Sequence, residues 1–386
     1  MAAGIDGKYY VRLDVGEQTD VFDIESFLSY KIVESAGGVL PLLVIEFVAS
    51  GELSSLLKAE LREDTKIVLF EGIDAANATR SEWTAANPAY KNFNSFAEFR
   101  IECASFSPGY NTTNLTESFT GTSVDVIADM AGKYLLRGVD SNASPSDSMN
   151  WALGLTTPQE QMTRAQVRYW SDAESPNTCL AIAIPREGDV IVRDLAVALK
   201  EDPKWDFYYQ GEPSAGITGV AVMSNYVVYA HNALQSRIGG VNRAAGMLTI
   251  DEAGETGVSI DRLDGLESPF KGTRFQSFTT YDKTLSGRLD WKNYQDNLNV
   301  HAKWSLAKNV NLAQLARVTD VSVVVTVPSN ASELSLLDTV FFKERDSQGE
   351  ILEAFSGKYF ITTIERGFNP SEQSVTSSVV LNRDGA

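Results

Sequence analysis

Five valines fall within seven residues at Val321-Ser322-Val323-Val324-Val325-Thr326-Val327, and Pro328 ends the run. β-Branched side chains are restricted in a helix and pack well on a pleated surface, so this stretch predicts a strand. Val340-Phe341-Phe342, Tyr359 to Ile364 and Val375 to Leu381 supply neighbours for it and complete a β unit near the C-terminal end. A second set of β-rich runs opens the chain: Lys8 to Val15, Val39 to Ala49, Lys66 to Ile73 and Glu98 to Phe106. The run from Val39 to Ala49 is apolar enough to be expected covered on both faces. Ser54 to Leu61 reads as one or two helical turns.

Between the two β units the pattern changes. From Pro108-Gly109 onward, Thr122-Ser123 precedes Val124, Val126-Ile127, Met130-Ala131 and Tyr134-Leu135, which predicts an amphipathic helix with a Ser/Thr N-cap, ending near Leu136. A polar stretch and Trp151 follow. Pro158 then opens a second helix over Gln159 to Ala173. Cys179 to Ile184 and Val190 to Leu195 flank Pro185-Arg186-Glu187-Gly188-Asp189 and predict a β-hairpin. Ile217 to Tyr229 returns to β, and Asn297 to Arg317 is the longest helical candidate. At 386 residues the chain exceeds what one hydrophobic core fills. The fold expected is mainly β with an α+β insertion: two β-barrel domains separated by a mixed α/β domain. Residues 1–107 form the first barrel and 108–212 the insertion. Residues 213–250 return to complete the first barrel or link onward. Residues 251–386 form the second barrel, with its helix at about 297–317.

Few residues of this chain suit catalysis. Only two histidines occur, His231 and His301, and neither has a partner four residues away. The two cysteines, Cys103 and Cys179, sit in apolar runs and read as small core side chains. No GxSxG elbow, phosphate-binding glycine loop or CxxC spacing is present, so no cofactor or metal is expected and the chain is not expected to be an enzyme. Asp251, Glu252 and Glu255 resemble a calcium loop only faintly and read as a solvated turn. Two-carboxylate glycoside chemistry stays open, because 51 acidic residues supply many pairs. The tryptophans at 151, 170, 205, 291 and 304 are expected to fill cores and interfaces, although a sugar-binding platform would use the same residues. The N-terminal residues lack a secretory signal pattern, and no apolar run is long enough to span a bilayer. Against 51 acids stand 33 lysines and arginines, a net charge of −18. Such a chain is poorly suited to gripping nucleic acid, and its like charge is compatible with a surface that nucleic acid passes without sticking.

The closing stretch carries a resemblance. It runs from the valine strand and Pro328 through Leu337-Asp338-Thr339-Val340, then Gly357-Lys358-Tyr359-Phe360-Ile361-Thr362-Thr363-Ile364, and ends near Leu381-Asn382-Arg383. It resembles the closing barrel of phage baseplate hub proteins, the tail protein D family of contractile tails. There Leu-x-x-Gly-Asp-x-Val precedes Gly-x-Tyr-x-Val-x-x-Val, and this chain has Leu337-Asp338 in place of Gly-Asp. Upstream, the order helix, Trp-containing loop, helix, hairpin is similar to the family's middle domain.

The resemblance implies a structural virion protein with two tube-type barrels per chain. It implies a homotrimer whose ring adapts the sixfold tail tube to the threefold central spike. Its partners would be the spike protein, the tail tube protein and baseplate wedge proteins, with DNA passing the lumen unbound. The protein would be made in the host cytoplasm and reside in the tail baseplate. The segment from Lys343 to Glu353 is long for a hairpin, and Glu344, Arg345, Asp346, Glu350 and Glu353 are its candidate partner contacts. A tail-associated cell-wall glycoside hydrolase and a carbohydrate-binding tail protein are the alternatives.

Overall fold

A computed structural model describes residues 10–19, 27–72, 75–107, 109–152, 155–175, 177–209, 212–223, 226–230, 244–250, 256–262, 289–291, 301, 303–319, 321–328, 333–344, 350–352, 355–369 and 374–383. The first part of the chain holds β1 (Tyr10–Val15), β2 (Phe27–Ser35), β3 (Leu42–Ser50), α1 (Gly51–Glu60), β4 (Lys66–Gly72), β5 (Thr79–Asn92) and β6 (Phe96–Ser105). Next come β7 (Ser118–Gly121), α2 (Ser123–Met130), β8 (Val139–Ser141), β9 (Met149–Ala152), α3 (Pro158–Arg168), β10 (Leu180–Ala183), β11 (Val190–Asp194) and α4 (Leu195–Ala198). The remainder is β12 (Trp205–Tyr208), β13 (Thr218–Ala221), β14 (Tyr226–Ala230), β15 (Ala244–Ile250), β16 (Thr256–Arg262), β17 (Leu289–Trp291), α5 (Trp304–Val318), β18 (Val321–Pro328), β19 (Thr339–Lys343), β20 (Gly357–Asn369) and β21 (Ser374–Arg383).

The architecture is mainly β, built on one large curled sheet of 13 strands. Its N-terminal part runs β1-β4-β5-β6-β3-β2, and β2 then pairs antiparallel with β20, with Tyr30 opposite Phe368 and Glu34 opposite Ile364. β21 lies along the other edge of β20 and leads to β18, while β19 follows β2 along the same edge of β20 and leads to β12 and β13. The Met223 N–H donates to the Thr326 carbonyl at 2.8 Å, and β14 pairs with β18. The single bond from Met223, made just past the end of β13, brings the two ends of this part of the sheet together. Strand alternation fills each interior. Leu13, Ile32, Ile45, Phe47, Leu69, Trp83 and Phe99 form the first core, and Val323, Val325, Phe342, Phe360 and Leu381 belong to the second.

A third core, around Val126, Ile127, Met162, Tyr169 and Ile182, belongs to the inserted elements. The β10–β11 hairpin lies between two cores. Leu180 and Ile182 face the third core, whereas Ala181 and Ala183 face the second, which explains why every residue of β10 is buried. Both helices of this region start on capping boxes. The Asp125 N–H donates to Thr122 Oγ1 at 3.2 Å and the Glu160 N–H to Thr157 Oγ1 at 3.2 Å, with each acid returning a bond to the cap's own N–H.

Three expectations shift in the structure. β3 buries Leu43, Ile45, Phe47 and Ala49 on one face only, because its other face carries Glu46 paired with Arg100 in solvent. The second helix stops at Arg168 rather than Ala173. Tyr169 leaves helical geometry there so that its hydroxyl can donate to Asp194 Oδ2 at 2.8 Å, while the Trp170 N–H donates to Asp147 Oδ2 at 3.0 Å. Strand β5 was not read from the sequence, since Pro88 and its alanines and asparagines carry a weak strand signal. His231, Asp251, Glu252 and Glu255 lie outside the described residues, as does the start of the helix expected from Asn297.

Candidate functional site

Where the three cores meet, charged side chains are buried together. Glu34 on β2 and Glu71 on β4 are 4% and 3% exposed. Glu34 points inward because it shares a strand face with Ile32, and Arg366 on β20 stands opposite Ile32, so acid and base are diagonal neighbours. The Arg366 guanidinium pairs with Glu34 Oε2 and also donates to the Leu334 carbonyl at 3.2 Å. The second donor comes from the turn of the β10–β11 hairpin. The Arg186 N–H donates to Glu34 Oε1 at 2.7 Å, and its guanidinium pairs with Glu71 Oε1. The Tyr30 hydroxyl donates to the other Glu71 oxygen. Arg137, just beyond the π-helical turn (Ala131–Leu135) that follows α2, holds the turn from behind, donating to the carbonyls of Pro185 and Arg186, the latter at 2.9 Å.

Both oxygens of each carboxylate are thus engaged by a donor from another element or turn. Burial and the like charge of Arg366 weaken the hold of Arg186 on its proton, although a guanidinium stays charged in proteins. Burial raises the Glu187 carboxyl at the lip of the adjacent cleft. That cleft, about 440 Å³, lies at the seam between the first sheet and the insertion, with Phe106 and Leu136 exposed on its rim. The arrangement is an interlock. One turn ties β2 and β4 to the insertion, and through Glu34 to β20.

The candidate contact loop is anchored rather than free at its base. Glu344 Oε1 accepts from the Tyr226 hydroxyl at 2.6 Å, its N–H donates to Ser356 Oγ at 2.9 Å, and its carbonyl accepts from the Leu352 N–H at 2.9 Å. Glu344 therefore joins β14 to the loop. One residue earlier, Lys343 Nζ pairs with fully buried Asp206 at 2.8 Å. Glu350 is exposed, beside exposed Ile351 and Leu352. Arg345, Asp346 and Glu353 lie outside the described residues.

Cys103 and Cys179 are buried, and burial pushes the Cys103 thiol up to about 12, which suits an inert core residue. His301 is 9% exposed and its Nε2 sits 3.2 Å from the Arg168 carbonyl. Trp151, Trp170, Trp205 and Trp304 are buried, as core filling requires. Among the described residues no cluster of histidine, cysteine or acidic side chains is arranged to hold a metal, and no helix is long and apolar enough to cross a membrane. The interlock residues were not singled out from the sequence. The signal available was a charge at an inward alternation position, as Glu34 is between Ile32 and Ala36.

No family model matches this sequence, and none of the curated proteins resembles it significantly. Solved structures do share its fold. The tail protein from Neisseria meningitidis MC58 superposes with a TM-score of 0.52 at 11% identity, covering 97% of this chain and 97% of that one. The 43 kDa tail protein of prophage MuSo2 from Shewanella oneidensis gives 0.52 at 11% identity, covering 97% and 96%. At full length, then, the chain has the fold of two tail proteins.

Proposed function

We propose that this protein is a structural component of a phage-type tail, the baseplate hub of a contractile particle. The observation that carries the reading is the fold it shares over 97% of its length with two tail proteins. The interlock fits it, because a part that passes load between tube and spike must not hinge between its β units. In this reading three copies form a ring that adapts a sixfold tube to a threefold spike. The net charge of −18 per chain keeps DNA moving through the bore. The protein works by assembly rather than by catalysis, in the virion baseplate, with spike, tube and wedge proteins as partners. The segment from Lys343 to Glu353, held at its base by Lys343 and Glu344, offers Glu350 to one of those neighbours.

The test is the mass of the purified chain by light scattering, alone and mixed with the spike and tube proteins of its own particle. A species of three chains, alone or on adding spike, is expected. A chain that stays monomeric and ignores both proteins overturns the reading. Glu350→Lys is expected to weaken assembly while leaving the fold intact, and unchanged assembly would remove the loop from the interface.

A further inference from the structure

A buried acid and a buried amine face each other between β12 and β19. Trp205 and Phe207 point into the second core, so Asp206 between them turns to the other side of the sheet, yet it is fully buried. β19 runs parallel beside it. Phe342 likewise points into the core, which turns Lys343 to the same side as Asp206. Lys343 is 8% exposed. Residues 212–217 lie over the pair, with Ser214 bonded to both of its members. Pro213 is seated so closely on β13 that a Cβ placed on Gly219 would lie 2.5 Å from Pro213 Cβ.

Lys343 Nζ lies 2.8 Å from Asp206 Oδ2. The Ser214 N–H donates to the same oxygen, and the Ser214 hydroxyl accepts from Lys343 Nζ. Asp206 Oδ1 is buried with no hydrogen-bond partner. A buried ion pair recovers its desolvation cost only when further hydrogen bonds satisfy the remaining lone pairs, and this one leaves a carboxylate oxygen bare. The carboxyl group is meanwhile held against an amine, the kind of positioning that speeds an intramolecular reaction.

The geometry points to a covalent end state, in which Lys343 and Asp206 condense to an amide that ties β12 to β19. The ammonium passes one proton to the carboxylate. The freed nitrogen lone pair attacks Cγ, and the Ser214 hydroxyl relays the surplus proton of the nitrogen to the departing oxygen. An N–C bond forms, a C–O bond breaks and one water leaves, so no oxidant, reductant or co-reactant is consumed. Both charges disappear, and with them the cost of keeping them buried. The amide forms whatever particle the chain belongs to. It fixes the strand from which the segment Lys343 to Glu353 departs.

Mass spectrometry of the full chain, folded and then denatured, tests it. The wild type is expected to weigh about 18 Da less than its sequence, the mass of one water. Digestion is expected to yield one branched peptide joining the segments of Asp206 and Lys343. Lys343→Met removes the nucleophile and is expected to restore the full mass. Ser214→Ala, followed from the start of refolding with circular dichroism to confirm the fold, is expected to form the amide at least about tenfold more slowly. A folded wild type that keeps its full mass after prolonged incubation overturns the amide and leaves an ion pair. So does a loss of water that survives Lys343→Met or maps to other residues. An unchanged rate in Ser214→Ala overturns the relay assigned to that hydroxyl.

Discussion

Two titrating residues beside the end of α3 pull stability in opposite directions. Burial raises the Asp194 carboxyl to about 6, so the stability it confers is full below its unfolded value near 4 and is lost as pH rises through 6. Burial lowers His301 to about 4, so its contribution is full above its unfolded value near 6.5 and is lost as pH falls through 4. Between about pH 4 and 6.5 the two slopes offset each other. Asp194→Asn is expected to make stability rise with pH across this window, and His301→Gln to make it fall. Urea midpoints at the two ends of the window check both signs. Arg186 is a different case. Arg186→Met leaves Glu71 buried with only the Tyr30 hydroxyl, and loss of one partner from a buried pair costs on the order of 3 kcal/mol. Adding Glu71→Gln to that variant is expected to restore part of the lost stability, read from the shift in thermal midpoint.

At the scale of elements, the helix starts are controlled locally. Thr157→Ala removes the acceptor for the Glu160 N–H and is expected to cost about 1 kcal/mol, measurable by chemical unfolding. The same local control made these helices legible. Thr122 and Pro158 announce α2 and α3 because capping and first-turn preferences act within four residues. The valine run announced β18, and β-rich runs announced β1 and β4. The helix end at Arg168 was not legible, because the pull on Tyr169 and Trp170 comes from Asp194 and Asp147, distant in sequence. Nor was the interlock. Glu34, Glu71, Arg186 and Arg366 lie on four separate elements or turns, and only the pairing of β2 with β20 sets Glu34 beside Arg366. The contact loop was legible as a loop, but nothing local showed that Glu344 is taken up by Tyr226.

For the whole molecule, the continuous ladder from β1 through β2 and β20 to β13 predicts that the strands of this sheet unfold together. One transition seen by both tryptophan fluorescence and far-ultraviolet circular dichroism is expected of the wild type. In Arg186→Met the two probes are expected to separate as the insertion loses its tie to the β units. The pairing of β2 with β20 also sets the timing of synthesis. Phe368 and Val375 are buried in the first core, among residues made more than 250 positions earlier. A ribosome therefore finishes almost the whole chain before the N-terminal sheet receives its last neighbour. Until then β2 presents an open edge to any other nascent chain. Copies that share a messenger thus need either protection or haste until that edge is covered.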